Sequence, residues 1–171
     1  MSDKNKSATA PATRSTTVIE RTYRASVEEL WELWTTKEGF ESWWGPEGCR
    51  AKVHAIEACA NGKLHYDMIA ETAETIEGMK QLDLPRSQEN RARFSEFKPY
   101  ERLVLTHVMD FLPGLKPFEI TILVEFFRLG DTVRMVTTIY PAPDDEFTRM
   151  SVEGFTSQLT KLDRRFPIQQ R

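Results

Sequence analysis

"ASVEELWELWTTKEGFESWWGPEG", Ala25–Gly48, decides how the rest of the chain is read. Ser26 stands three residues before Glu29, the spacing of a capping box. The serine hydroxyl accepts the Glu29 N–H while the glutamate reaches back to the Ser26 N–H. Val27, Leu30, Trp31 and Trp34 then recur at intervals of three and four, so they share one helical face. Thr35 and Thr36 interrupt this helix. A second short one, 37–43, runs into Gly45-Pro46, which cannot continue it. Two adjacent tryptophans, Trp43 and Trp44, therefore precede a chain reversal. Neighbouring positions on a short helix point in different directions, so at most one indole faces a cavity cleanly. The expectation is that both brace the short helices against a sheet, with Trp44 touching a cavity mouth. Gly45, Pro46 and Gly48 make the turn.

Working outward, Thr17–Ala25 is a short β-like run, and the polar residues 1–16 before it read as a loose tail. Residues 17–171 read as a single domain. Downstream, 50–59 and 63–69 flank Asn61-Gly62, the strongest short hairpin signal. A two-residue loop there pairs Ala60 with Lys63 and Glu57 with Tyr66. One face then holds Val53, Ala55, Glu57, Leu64, Tyr66 and Met68, and this is the inner one. Between 71 and 84 the period changes: Ala73, Ile76, Met79 and Leu82 suggest an amphipathic helix stopped by Pro85. Strands follow at 91–97 and 103–111, with "KPYERL" (Lys98–Leu103) as the turn between them. A further strand at 118–129 turns at Gly130-Asp131 into 132–140. After Pro141 the pattern is helical. Asp144 is the N-cap, and Phe147, Met150, Gly154, Phe155, Leu159, Leu162 and Phe166 lie along one stripe. Antiparallel strands with helices gathered on one face give an α+β class, with a space between sheet and helix where a ligand fits.

The bulk numbers exclude several function classes. A net charge of −3 gives no positive field for nucleic acid. No apolar run reaches the length of a membrane span, and the N-terminus lacks the apolar stretch of a signal peptide. Two cysteines, Cys49 and Cys59, are too few for a disulfide scaffold, so a cytoplasmic setting with reduced thiols is expected.

Four stretches resemble the activator of heat-shock-protein ATPase homologue family, within the START-like (SRPBCC) superfamily. They are Ala25–Gly48, "GKLHYDM" (Gly62–Met68), "FKPYERLVLTH" (Phe97–His107) and "GFTSQLTKL" (Gly154–Leu162). The resemblance implies a helix-grip fold: about seven antiparallel strands curl around the C-terminal helix, and a cavity opens between them. It implies no fixed chemistry, because relatives bind lipids, hormones or polyketides, some cyclise polyketides, and a eukaryotic branch assists a chaperone ATPase. One departure is the helical insert 70–86 after the third strand, placed to reshape the cavity mouth.

Within that frame the expected ligand-binding residues are Trp44, Tyr66, Met68, Phe94, His107, Met109, Phe126, Met135, Phe155 and Leu159, with Phe111 in the same aromatic and methionine set. His107 alternates with Leu103, Leu105 and Met109 and so points inward. A lone histidine among apolar residues is commonly a hydrogen-bonded core residue, and orienting a ligand or moving a proton is the sharper alternative. Under the expected register His54 and His65 lie four rungs apart, roughly 13 Å at strand rise, too far for one metal ion. No metal and no cofactor are expected. There is no G-x-S-x-G, H-E-x-x-H or glycine-rich phosphate loop. The leading expectation is a binding protein for a small apolar or amphipathic molecule. A cavity enzyme, cyclase- or hydrolase-like and using His107 as acid or base, is the second. A chaperone cofactor ranks last, since the extra N-terminal domain of the eukaryotic activators has no counterpart in this sequence. A homodimer fits a domain of this size, without a surface the sequence identifies.

Overall fold

The computed structural model describes residues 15–110, 114 and 116–166. The expectations for most of the tail, for Phe111 and for 167–171 lie outside them. The elements are β1 (Thr17–Tyr23), α1 (Val27–Thr35), α2 (Lys37–Glu41), β2 (Cys49–Ile56), β3 (Lys63–Ala70), α3 (Ala73–Gln81), β4 (Ser87–Lys98), β5 (Arg102–Met109), β6 (Phe118–Leu129), β7 (Thr132–Ile139) and α4 (Asp145–Arg165). All seven strands form one antiparallel sheet in the order β1-β7-β6-β5-β4-β3-β2.

Consecutive strands β1 and β2 thus lie at opposite edges. Six inter-strand steps separate them, roughly 29 Å on a flat sheet at ~4.8 Å per step. Yet α4 reaches both edges from nearly the same point. Asp163 accepts the Tyr23 hydroxyl of β1 at 2.7 Å, and the Lys161 ammonium donates to the Cys49 carbonyl of β2 at 3.1 Å. Two helical residues span only about 3 Å of axis, so the sheet has to curl around the helix. This is the helix-grip arrangement.

The local signals read from the sequence explain most element ends. Ser26 Oγ accepts the Glu29 N–H at 3.0 Å and Glu29 Oε1 accepts the Ser26 N–H at 2.9 Å, completing the capping box of α1. Asp144 caps α4 through the Phe147 N–H at 3.0 Å. Gly45 and Gly48 take φ of +109° and +92°, left-handed values that a side chain at either position would strain. At Gly48 a Cβ would also stand 2.1 Å from Thr75 Oγ1. α1 buries Leu30, Trp31 and Trp34 against the sheet. The core continues along the inner strand faces to Phe155, Leu159 and Leu162 of α4. Met150, expected on the same stripe, is exposed.

The hairpin register differs from the expectation. β2 ends at Ile56, which pairs with Leu64, and a bulge between Val53 and Ala55 shifts the ladder so that Val53 faces Tyr66. The turn spans 57–62. Asn61 does adopt a positive φ of 64°, but its N–H donates to the Phe94 carbonyl on β4 at 2.7 Å, and Phe94 N–H returns to the Gly62 carbonyl. The Asn-Gly pair is held by the third strand and does not form a two-residue loop. Ile56 therefore takes the inner position expected for Glu57, and Glu57 is exposed, its carboxylate accepting the Lys63 N–H. The same shift sets Ala55 opposite His65, so His54 and His65 are neighbours and not four rungs apart. His54 Nε2 lies 2.9 Å from Asp67. No group of three or more His, Cys, Asp or Glu among the described residues is arranged to hold a metal ion.

The insert forms α3, N-capped by Thr72, yet buries none of its residues, and Leu82 is 59% exposed. It docks by its N-terminal end, where the Glu71 N–H donates to the Gly48 carbonyl at 2.7 Å. No described helix is long and apolar enough to cross a membrane. Removing the cap hydroxyl by Ser26→Ala is expected to cost about 1 kcal/mol, and Asp144→Ala a similar amount, measured by urea unfolding with unchanged m-value.

Candidate functional site

A cavity of about 260 Å³ opens between α4 and the inner sheet face. Six of the ten expected residues stand on its wall: Trp44, Tyr66, Met68, His107, Met109 and Phe155. Phe94, Phe126, Met135 and Leu159 do not. Phe94, Phe126 and Met135 are buried further along the same sheet face, where Trp31 of α1 plugs the curl, and Leu159 is buried on α4. The Trp31 ring lies 5.7 Å from Phe126 and 5.2 Å from Phe97, which in turn meets Phe94. Alternation identifies the inner face of a strand and leaves open which end of it is filled. Here β7 contributes Ile139 to the cavity and Met135 to the plugged end, and β6 contributes Ile120 and Ile122 to the cavity and Phe126 to the plug.

The turn after α2 builds one wall. Trp43 is anchored in the core by its Nε1–H, which donates to the Leu33 carbonyl at 2.8 Å. Trp44 stacks on Phe40 at 4.6 Å and turns its Nε1–H to the Tyr66 hydroxyl at 3.0 Å. Tyr66 Oη in turn lies 2.7 Å from His107 Nε2. An indole N–H can only donate, so the Tyr66 oxygen accepts there. His107 Nε2 is the one other group within hydrogen-bond reach of Tyr66 Oη among the described residues, so the arrangement that strands no buried proton has Tyr66 donating to Nε2. Nε2 is then the unprotonated nitrogen, and neutral His107 carries its hydrogen on Nδ1. Burial among apolar groups pulls the His107 pKa down to about 4, so the neutral form holds at physiological pH. Burial pushes the Tyr66 hydroxyl upward, opposed by the Trp44 hydrogen bond. A histidine so placed is a poor base and a good hydrogen-bond donor.

Residues of α4 complete the wall, and of the nine wall residues outside the expected binding set, Gln158, Asn90 and Gly154 bear most on its chemistry and space. Gln158 is 4% exposed; its Oε1 accepts the Gly45 N–H at 2.9 Å, while its Nε2 has no partner among the described residues. A glutamine three residues after Phe155 and four before Leu162, on an apolar stripe, was the available signal. Asn90 was missed because β4 begins earlier than the alternation suggested. Its Nδ2 donates to the Gln88 carbonyl at 3.1 Å. Gly154 sits within the 21-residue α4, where a Cβ would meet no atom within 4 Å. α3 contributes nothing to the wall; it braces the Gly48 turn from behind.

A larger groove of about 520 Å³ between α1, α2 and the end of α4 is lined by Glu29, Glu32, Glu38 and Arg165. It is a polar surface cleft away from the inner sheet face. The smaller cavity is the better site because it is apolar and holds a buried, unpartnered donor. At ~30 Å³ per molecule its volume equals about nine waters. That is below the ~300–1,000 Å³ usual for drug-sized ligands.

Two outcomes follow. Gly154→Ala is expected to stabilise the protein by about 0.5–1 kcal/mol, since helix propensity improves and nothing is displaced; urea unfolding measures it. His107 has a lower pKa folded than unfolded, so the unfolded chain binds more protons between pH 6.5 and about 4. Stability therefore falls as pH drops through that window and levels off below it. A His107→Gln variant is expected to lose this part of the slope in melting temperature against pH.

The sequence over residues 24–166 matches the family model described as activator of Hsp90 ATPase homolog 1-like protein. A search of the curated proteins gives no match. Among solved structures, a Chromobacterium violaceum protein superposes with a TM-score of 0.70 at 17% identity, covering 89% of this chain and 97% of its own. A solution structure from Arthrobacter aurescens gives 0.69 at 17% identity, covering 94% and 87%. The AHSA1 protein from Silicibacter pomeroyi gives 0.66 at 20% identity, covering 88% and 96%. At these identities the structures speak for the fold alone; the family match spans most of the chain, and the chain belongs to the activator of Hsp90 ATPase homolog 1-like family, with its START-like fold.

Proposed function

We propose that the chain is a binding protein for a small apolar or amphipathic molecule held between α4 and the inner sheet face. The observation that carries this is Gly154. A glycine inside a long helix costs about 1 kcal/mol relative to alanine and is normally explained by a close neighbour. Here there is no neighbour, and the residue faces the cavity. The space is kept where filling it would have stabilised the fold.

The volume favours a molecule of one or two rings over a long-chain lipid. Such a molecule buries roughly 150–250 Å², as a large aromatic side chain does. At ~25 cal/mol per Å² this contributes about 4–6 kcal/mol before the cost of association. Met68 and Met109 on the wall adapt their shape to the guest. The polarity of the Trp44–Tyr66–His107 chain supports binding over acid–base turnover, because the histidine nitrogen suited to accept a proton is already occupied.

Native mass spectrometry of gently purified protein tests the proposal. The wild type is expected to carry a reproducible extra mass, and Gly154→Phe, folded by circular dichroism, is expected to run clean. An identical bound mass in both proteins would sink the reading.

A further inference from the structure

The cavity wall carries no charged side chain among the described residues. A carboxylate, phosphate or ammonium group placed there would lose its water without gaining a counter-charge. The wall does carry two hydrogen-bond donors whose direction is fixed from outside the cavity. The first is Gln158. A backbone N–H can only donate, so the group that meets Gly45 N–H is the amide oxygen, and the NH₂ end faces away from it. That Nε2 is unpartnered among the described residues and has almost no accessible surface, so a guest meets it when the amide, beside the cavity, turns toward the space. The second is His107. Its Nε2 is occupied by Tyr66, its hydrogen lies on Nδ1, and among the described residues Nδ1 makes no hydrogen bond. The donor character of Gln158 is imposed by a backbone amide that cannot reverse, and that of His107 by Tyr66, whose oxygen already accepts from the Trp44 indole.

We propose that the cavity selects a neutral molecule of one or two rings bearing a carbonyl-type oxygen, which accepts hydrogen bonds from Gln158 Nε2 and His107 Nδ1. This rests on the cavity being the binding site. An apolar guest of the same shape fills the space equally well, but it strands both donors. A carbonyl-bearing guest satisfies them. A hydroxyl oxygen also accepts from these donors, but its own proton then needs a separate acceptor, for which the wall offers Asn90 and Ser151 and not Gln158 or His107.

Isothermal titration calorimetry of the full chain with three probes tests it: 1-tetralone, tetralin and 1-naphthoate. These share a two-ring body and differ in having a neutral acceptor, no acceptor, or a charge. 1-Tetralone is expected to bind about tenfold more tightly than tetralin, and 1-naphthoate more weakly than either. Gln158→Glu keeps the oxygen that Gly45 requires and replaces the donor with a second oxygen, so it is expected to abolish the tetralone preference. The wild-type ratio needs no variant and stands even if Gln158→Glu fails to fold. A tetralone preference under threefold, or 1-naphthoate binding as tightly as 1-tetralone, overturns this inference while leaving the cavity as the binding site. A preference unchanged in folded Gln158→Glu overturns the role of Gln158. Binding of none of the three overturns both this inference and the cavity reading.

Discussion

Lys161 and Asp163 sit two residues apart on α4 and hold opposite edges of one sheet. That requirement shapes everything else. A seven-stranded sheet whose edge strands meet the same turn of a helix must curl, and a curled sheet encloses more volume than one helix can fill. The chain fills one end of the excess with Trp31, Phe97 and Phe126 and leaves the other as a cavity. The link from β1 to β2 has to pass from edge to edge, and α1, α2 and the Trp43–Gly48 turn make that passage. The turn is tied on several sides. Gly45 N–H donates to Gln158, Glu47 N–H donates to Ser157, and Trp44 reaches Tyr66 on β3.

Those ties also orient the polar groups of the cavity. A hydrogen bond in a low-dielectric interior is strong, and an unmade one is costly, so the direction of each bond constrains the next. Trp44 dictates to Tyr66, Tyr66 to His107, and Gly45 to Gln158. The same residues that close the fold therefore set which hydrogen-bonding partners the cavity presents to a guest. On the proposed binding role, stability and recognition share their atoms here, in contrast to the outer sheet face. There ion pairs such as Arg93–Glu119 and Arg134–Glu20 lie in solvent and contribute little.

Much of this was legible in the sequence, for physical reasons that differ by element. The capping box at Ser26 and the cap at Asp144 are local chemistry, complete within four residues, and they formed as read. Strand β6 alternates except at Leu123 and Phe127, and its bounds, Phe118–Leu129, are those the alternation predicts. The Asn61-Gly62 turn was misjudged because its hydrogen bonds go to Phe94, thirty-three residues away, and no hairpin signal contains the third strand. Inner faces were readable, but cavity and plug were not. Phe94, Phe126 and Met135 have the same strand alternation as Tyr66, His107 and Met109, and the position of Trp31 along the curl separates the two sets; Leu159 and Phe155 likewise share one helical stripe. Gln158 escaped notice because a lone polar residue on an apolar stripe is ordinarily discounted. The α3 pattern was apolar every third residue, yet the helix found no surface to bury it against.

Gly154 has a consequence for how such a fold diversifies. Part of the cavity space lies where a side chain at 154 would stand, on a helix whose other contacts hold the sheet closed. Alanine, serine, valine or a larger residue at 154 would each raise the floor by its own volume and leave the strand ladders and the edge contacts untouched. On the proposed binding role, guest size is thereby separated from foldedness at a single position. A lineage of such binders would change its guest without first destabilising the fold, and a shared fold would be a poor guide to the guest of any one member.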